Sequence, residues 1–299
     1  MPRIALGACA LTLVLVSACG GTTATAPPGA TAPGGVAGTP VCATGTLTAS
    51  GSTALQPLAQ KAATAYQARC AGSIITVSGG GSSVGLNNAA AGLSDIGDSD
   101  VPVSDAPALN AATVTDHQVA IAVFAVVVNP QTKVTNLTAQ QIRDIFSGRI
   151  TNWHDVGGAN LAVTLIERKP GSGTRLAFDK DIMNGIPESA SPASAQDSTQ
   201  LVVSGVAGAP GAVSYINVAS VAGAIVPVSI DGARAGGDAV KSGAYPLFSH
   251  EHMYTRGSGS TLAESFIKYI LSAPVQSGMV TALGYLPISV TDRQSAADR

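Results

Sequence analysis

From Leu47 onward the apolar positions of this chain follow two alternating rhythms. Short runs at 46–52 (TLTASGS), 73–81 (SIITVSGGG), 119–128 (VAIAVFAVVV), 162–168 (AVTLIER), 212–216 (AVSYI) and 225–230 (IVPVSI) predict strands. Between the first two, Leu55, Leu58, Ala62, Ala65 and Tyr66 recur at helical spacing. A second helix is predicted over 262–271, where Leu262, Phe266, Ile267, Ile270 and Leu271 share a face. Thr138 and Gln141 form a capping-box pattern and Gly148 closes the segment, which predicts a helix over 138–147. The alternation predicts an α/β architecture. The run 119–128 is the most hydrophobic after the N-terminus, yet it is too short to span a bilayer, so it reads as a buried central strand.

The N-terminal apolar stretch does not belong to that core. Arg3 precedes IALGACALTLVLVSA, and Cys19 follows in the sequence LVSAC. The stretch is shorter than the roughly 20 residues of a membrane span and is surrounded by small residues, so 1–18 reads as a secretion signal. LVSAC resembles the lipobox of bacterial lipoproteins, which implies that Cys19 becomes the lipid-modified N-terminus. Residues 20–40 contain only Gly, Thr, Ala, Pro and one Val. They cannot bury enough apolar surface to offset ordering entropy, and 19–42 is therefore read as an anchored tether. With Cys9 removed and Cys19 lipidated, Cys42 and Cys70 remain as the pair expected to form a disulfide in an oxidising compartment.

Charge narrows the function classes. Only 11% of the residues are charged, against roughly 25% in a typical soluble domain. The formal net charge is −2, so the chain has no broad basic field for nucleic acid or an anionic membrane surface. An anion would have to be recognised locally.

Several strand-to-helix turns offer such recognition. In RKPGSGTRLAF (168–178) a helix starting near Gly173 would present backbone N–H groups and the hydroxyls of Ser172 and Thr174, with Arg168 at the end of the preceding strand. Gly-Ser-Gly recurs in TRGSGST, but there TLAE at 261–264 fits a capping box in which Glu264 reaches back to the Thr261 amide. A phosphate loop of the Walker type is not matched, since no lysine follows these glycines. Ser52 and Thr53 sit at another turn, and VSGGGSSVGLNNA (77–89) supplies a third with Ser82. The third also matches a nucleophile elbow, Gly81-Ser82-Ser83-Val84-Gly85, so a serine hydrolase using Ser83 is an alternative that would need a histidine partner. In DIGDSDVPVSD, Asp95, Asp98, Asp100 and Asp105 could suggest calcium but lack EF-hand spacing; one of them could instead face an anion site. His250 and His252 share a strand face without the further ligands a metal site needs.

Taken in order, GSTALQPLAQKAATAY, VSGGGSSVGL, DIGDSDVPVSD, LTAQQIRDIFSGRITNW, ERKPGSGTRLAF, GAVSYI and FIKYILSAPVQSGMVTALGYLPIS resemble the solute-binding protein of the bacterial phosphate ABC transporter. The resemblance covers essentially all of 45–290. It implies a type II periplasmic-binding-protein fold: two α/β lobes with mixed β-sheets flanked by helices, joined by two hinge crossovers near 124–129 and 246–254. Lobe 1 would comprise 43–126 and 251–299, and lobe 2 would comprise 127–250. It also implies phosphate contacts at Thr53, Ala54 (through its amide), Ser82, Asp100, Arg168, Ser172, Gly173 and Thr174. The elementary chemistry favours the same set, because helix N-termini and one arginine can hold a dehydrated phosphate, while Asp100 can accept the proton that phosphate carries and sulfate lacks.

The implied protein is a monomer without metal or cofactor that performs no reaction. Anchored outside the cytoplasmic membrane, it would pass inorganic phosphate to permease subunits with their ATPase. A binding protein of the same fold for another oxyanion, or for phosphate sensing, is the other alternative. Two departures stand out: Ala54, where relatives often carry a larger side chain, and Pro170, where some have an acidic residue that pairs with the arginine.

Overall fold

The computed structural model describes residues 41–105 and 113–288. The signal stretch, Cys19 and the tether up to residue 40 lie outside the described residues. Val41 and Cys42 lie inside them, and Cys42 is bonded to Cys70 with a Cα–Cα distance of 5.3 Å. The bridge encloses β1 (Gly45–Gly51) and α1 (Gln56–Arg69). A loop of that length corresponds to about 3.5 kcal/mol in the chain-entropy account.

One mixed sheet organises the chain. Parallel to β1 run β2 (Ser73–Ser78) on one side and β3 (Ile96–Ser99) on the other. Next to β3 lies the antiparallel β11 (Phe248–Arg256), and beyond it the long β4 (Val114–Val128). The far side holds β8 (Ala212–Asn217), antiparallel to β4, then the parallel β6 (Thr164–Arg168) and β7 (Ser194–Gln196).

The strand β4 spans both halves because it changes partner along its length. Its pairing with β11 covers Val114 to Val123, and its pairing with β8 covers Phe124 to Val128. All residues from Val119 to Val128 are buried, so the run has no solvated face and reads as continuous hydrophobicity rather than alternation.

Helices cover both faces. In the first half α1 packs beside α7 (Thr261–Ile270), with Tyr66 edge-on to Phe266 at 5.8 Å and to Tyr269 at 5.5 Å. The opposite face receives α2 (Ser82–Ala91), whose Leu86 and Ala89 meet Tyr254. In the second half Phe178 of α4 (Gly173–Phe178) stacks on Tyr215 at 4.1 Å, with Phe146 of α3 (Ala139–Phe146) at 4.7 Å from Phe178. On its other face α5 (Thr199–Gly208) contributes Val202 and Val206 to a separate cluster with Val127, Ile166 and Ile216.

Two local expectations change. The segment 225–230 is not one strand: β9 (Val226–Pro227) pairs with β4, whereas β10 (Ser229–Ile230) pairs with β5 (Asn136–Leu137) in a separate ribbon. Pro227 has no N–H to continue a ladder. The chain turns there, the Val228 amide donating to Val126 and the Ser229 amide to Thr135. The cap of α7 also moves by one residue. Ser260, in an extended conformation, accepts from the Ala263 amide at 3.2 Å, and Glu264 pairs with Lys268 instead of reaching back to Thr261. The capping box of α3, by contrast, is present in full.

Candidate functional site

The site lies where the turns leading into α1, α2 and α4 converge from the two halves of the sheet. Gly51 ends β1 at φ +140°, and a side chain there would run into the carbonyl of Asp98. The close packing of β1 on β3 therefore depends on that glycine and delivers Ser52, Thr53 and Ala54 next to Asp100.

Ser52 sets the direction of the first hydrogen bonds. Its Oγ accepts from the amides of Ala54 at 3.0 Å and Leu55 at 2.9 Å, which open α1. With both lone pairs engaged, its proton points to Asp100 Oδ1. The Ala54 amide, expected to face a ligand, is thus held by Ser52, and the Ala54 carbonyl accepts from Asn217 at 3.1 Å and from Tyr285.

Asp100 gathers contacts from both halves. Thr174 Oγ1 donates to Asp100 Oδ2 at 2.8 Å, and the Asp100 amide donates to Ser82 Oγ at 2.9 Å. Ser82 keeps its own proton for another acceptor. Gly173 comes so close that a Cβ there would overlap Ser82 Oγ and approach Asp100 Cβ to 2.8 Å. Only glycine allows that approach. Next to it the Ser83 amide donates to the Gly171 carbonyl at 3.1 Å. Ser172 caps its own helix, accepting from the Arg175 amide at 3.3 Å.

Arg168 reaches the same place from the end of β6. It is 1% exposed, and its Nη2 donates to Thr53 Oγ1 at 3.2 Å. Thr53 Oγ1 also accepts from the Thr199 amide at 3.2 Å and lies 3.0 Å from Thr199 Oγ1, toward which its own proton must point. Among the described residues Nε and Nη1 of Arg168 have no acceptor within hydrogen-bond distance. Burial pulls the guanidinium below its usual range, and the nearby charge of Asp100 opposes that.

The eight expected residues are thus brought together. Four further members were not foreseen in these roles. Thr199 shares the hydroxyl of Thr53, and its signal in the sequence is only the helix start after Ser198. Ser52 orients Asp100. Asp98 and Glu251, both fully buried, stand behind Asp100, and neither carboxyl has a hydrogen-bond donor among the described residues.

The other motifs settle elsewhere. Asp95 accepts from the Thr48 amide at 2.8 Å and Asp105 pairs with Lys180 at 3.3 Å, so the acidic run disperses. Among the described residues no three His, Cys, Asp or Glu side chains cluster as metal ligands. His252 meets Asp116 at 2.8 Å and His117 meets Thr255 at 3.2 Å, each away from Ser83 in its hydrogen bonding.

Chemically, the arrangement can hold a small anion that brings a proton of its own. Buried guanidinium N–H groups and the Ser82 hydroxyl supply donors, and Asp100 is a fixed acceptor whose orientation is set by Ser52 and Thr174.

The family model described as a PBP superfamily domain matches residues 36–274. The phosphate-binding protein PstS of Bacillus subtilis is 36% identical over 259 residues, which span 86% of this chain and 84% of that protein. This chain belongs to the PstS phosphate-binding protein family. Among solved structures, a phosphate ABC transporter substrate-binding protein of Clostridium perfringens with bound phosphate superposes with a TM-score of 0.75 at 26% identity. The match covers 82% of this PstS-family chain and 100% of that one. An ABC-type phosphate transport receptor of Vibrio cholerae gives a TM-score of 0.64 at 25% identity, with coverages of 80% and 99%.

Proposed function

We propose that this chain captures inorganic phosphate outside the cytoplasmic membrane and delivers it to the permease of an ABC importer. The observation that carries the reading is Arg168, a buried guanidinium with two donors unpartnered among the described residues, beside the fixed carboxylate of Asp100. A hydrogen phosphate ion meets both: its oxygens accept from Arg168, Ser82 and the turn at Ser172–Thr174, and its proton goes to Asp100.

In this reading the contacts are Thr53, Ser82, Asp100, Arg168, Ser172, Gly173 and Thr174, together with Ala54, whose amide would turn from Ser52 Oγ to the ligand. The lobes, 43–126 with 251–299 and 127–250, would divide at the crossovers near 124–129 and 246–254, a reading supported by the change of partner along β4 and by the Phe124 amide donating to Leu247. Opening at these two strands would part Thr53 from Arg168 and Thr174 from Asp100, exposing the site. Thr53 would then redirect its hydroxyl from Thr199 to the ligand. Cys19 would carry the lipid, and the tether would let a monomer reach the permease subunits and their cytoplasmic ATPase.

Calorimetry with phosphate and sulfate tests the assignment. Phosphate should bind and sulfate should be rejected by on the order of 10⁴-fold, since a sulfate oxygen would face the Asp100 carboxylate without a proton between them. Asp100→Asn should narrow that ratio. Tight sulfate binding without phosphate binding by the unaltered protein would sink the proposal.

A further inference from the structure

Glu251 is fully buried at the middle of β11, directly behind the site. The antiparallel register ends with His252 opposite Ser99, the last residue of β3, and the Glu251 carboxyl lies within electrostatic reach of Asp100 and Asp98. Asp98, two residues before Asp100 along the chain, is equally buried. Three carboxyl groups thus share one buried region, and Arg168 is the cation that acts on Asp100.

The charge count excludes three carboxylates. Were all ionised, Arg168 would leave a net charge of about −2 in the dry interior before any anion entered, a cost far larger than folding can absorb. Asp100 is the member supplied with donors, from Ser52 and Thr174. Glu251 and Asp98 have none among the described residues. A buried carboxyl that faces another carboxylate and has no donor among the described residues is satisfied by donating a hydrogen bond of its own.

We propose that Glu251 is a positioning residue of the phosphate site, a neutral carboxylic acid that donates its proton to Asp100 and so holds Asp100 as an anionic acceptor aimed at the ligand. The inference rests on the phosphate reading above and deepens it. Asp100 offers about four acceptor positions. Ser52 and Thr174 take one each, Glu251 takes a third, and one remains for the proton of the bound anion.

The surroundings of Glu251 agree. Burial first, then Asp100 and Asp98, push its carboxyl well above the usual range. Burial and then Asp100 do the same to Asp98. From the C-terminal segment, Tyr285 faces Glu251 and Asp100, and burial followed by these acids keeps its phenol protonated. On the β4 side the register partner of Glu251 is Ala120, which carries no charge, and the flanking His252 is bound to Asp116.

The device also bears on selectivity. With Glu251 neutral, the pocket presents a single negative charge opposite Arg168, so a phosphate can enter without meeting a second carboxylate.

Two variants and two readouts test this. Glu251→Gln keeps a donor for Asp100 and cannot ionise, whereas Glu251→Leu removes the donor. Infrared spectra of the ligand-free protein at neutral pH should show a protonated-carboxyl C=O band that weakens in Glu251→Gln; an identical band in both proteins would overturn the proposal. In calorimetry with inorganic phosphate, Glu251→Leu should bind on the order of tenfold more weakly than Glu251→Gln. Equal affinities of the two would also overturn it. The infrared comparison needs neither phosphate nor the Leu variant, so it decides the proton on Glu251 even if that variant does not fold. An unaltered protein that binds no phosphate would instead remove the functional reading beneath the proposal.

Discussion

Two arginines flank the Gly171–Thr174 turn, and the structure treats them in opposite ways. Arg175 is surrounded: Glu167 lies at 3.3 Å, Asp179 at 3.6 Å and Glu188 at 2.9 Å, and it also donates to the Arg168 carbonyl. Arg168 is more deeply buried, yet among the described residues no carboxylate lies within ion-pair distance of it. The first guanidinium is neutralised by its own fold, holding α4 to β6. The second keeps two nitrogen donors without an acceptor among the described residues, and the phosphate reading assigns them to the ligand. Burial alone therefore does not distinguish a structural arginine from a binding one; the supply of acceptors does.

Substitutions can sharpen or break this contrast. The largest effect is expected from Arg168→Met, which should weaken phosphate binding by about 10²–10³-fold in calorimetry while the melting temperature holds or rises, because a buried charge is removed. A variant that binds as tightly as the parent would dissolve the distinction. Arg175→Met should act in the other direction, costing about 3 kcal/mol in denaturant unfolding by leaving Glu167 and Glu188 buried without their cation. The fraction that remains folded should still bind phosphate.

The acids behind the site give a smaller effect with a defined sign. The Asp98 carboxyl is held well above its ordinary range by burial and by Asp100, so between those two values the folded chain keeps a proton that the unfolded chain has released. Stability falls as pH rises across that window, by about 1.4 kcal/mol per pH unit for one such proton. Asp98→Asn should remove this slope, and its unfolding midpoint should gain on the parent with each step above about pH 4. Parallel curves for the two proteins would show that Asp98 is ionised when folded. Thr199→Val should matter least, costing a few-fold in phosphate affinity through the hydroxyl it shares with Thr53.

Much of the frame was legible because it depends on neighbours in the chain. The capping box at Thr138 and Gln141, the long apolar run of β4 and the turns at Ser52, Ser82 and Ser172 are local patterns, set by dihedral preference and hydrophobic period. Local signals also misled. The segment 225–230 has strand composition, yet Pro227 divides it between two sheets. Glu264 stands at capping-box spacing, yet Ser260 had already capped the helix and left the carboxylate to Lys268.

The sequence by itself determined the alternation of strands and helices, the glycine and serine turns that can approach an anion, and the arginine and aspartate that could bind one. The residue types alone left four aspartates as candidates, the family resemblance named Asp100, and Glu251 was passed over between His250 and His252. Tertiary structure decided that Asp95 and Asp105 go to Thr48 and Lys180, that Asp100 receives hydroxyls from both halves, and that Glu251 stands behind it from a strand about 150 residues away. It also decided which arginine was neutralised. Helix caps and strand periods are fixed within a few residues, whereas the charge state of a buried group depends on every donor and acceptor that the closed fold brings near it.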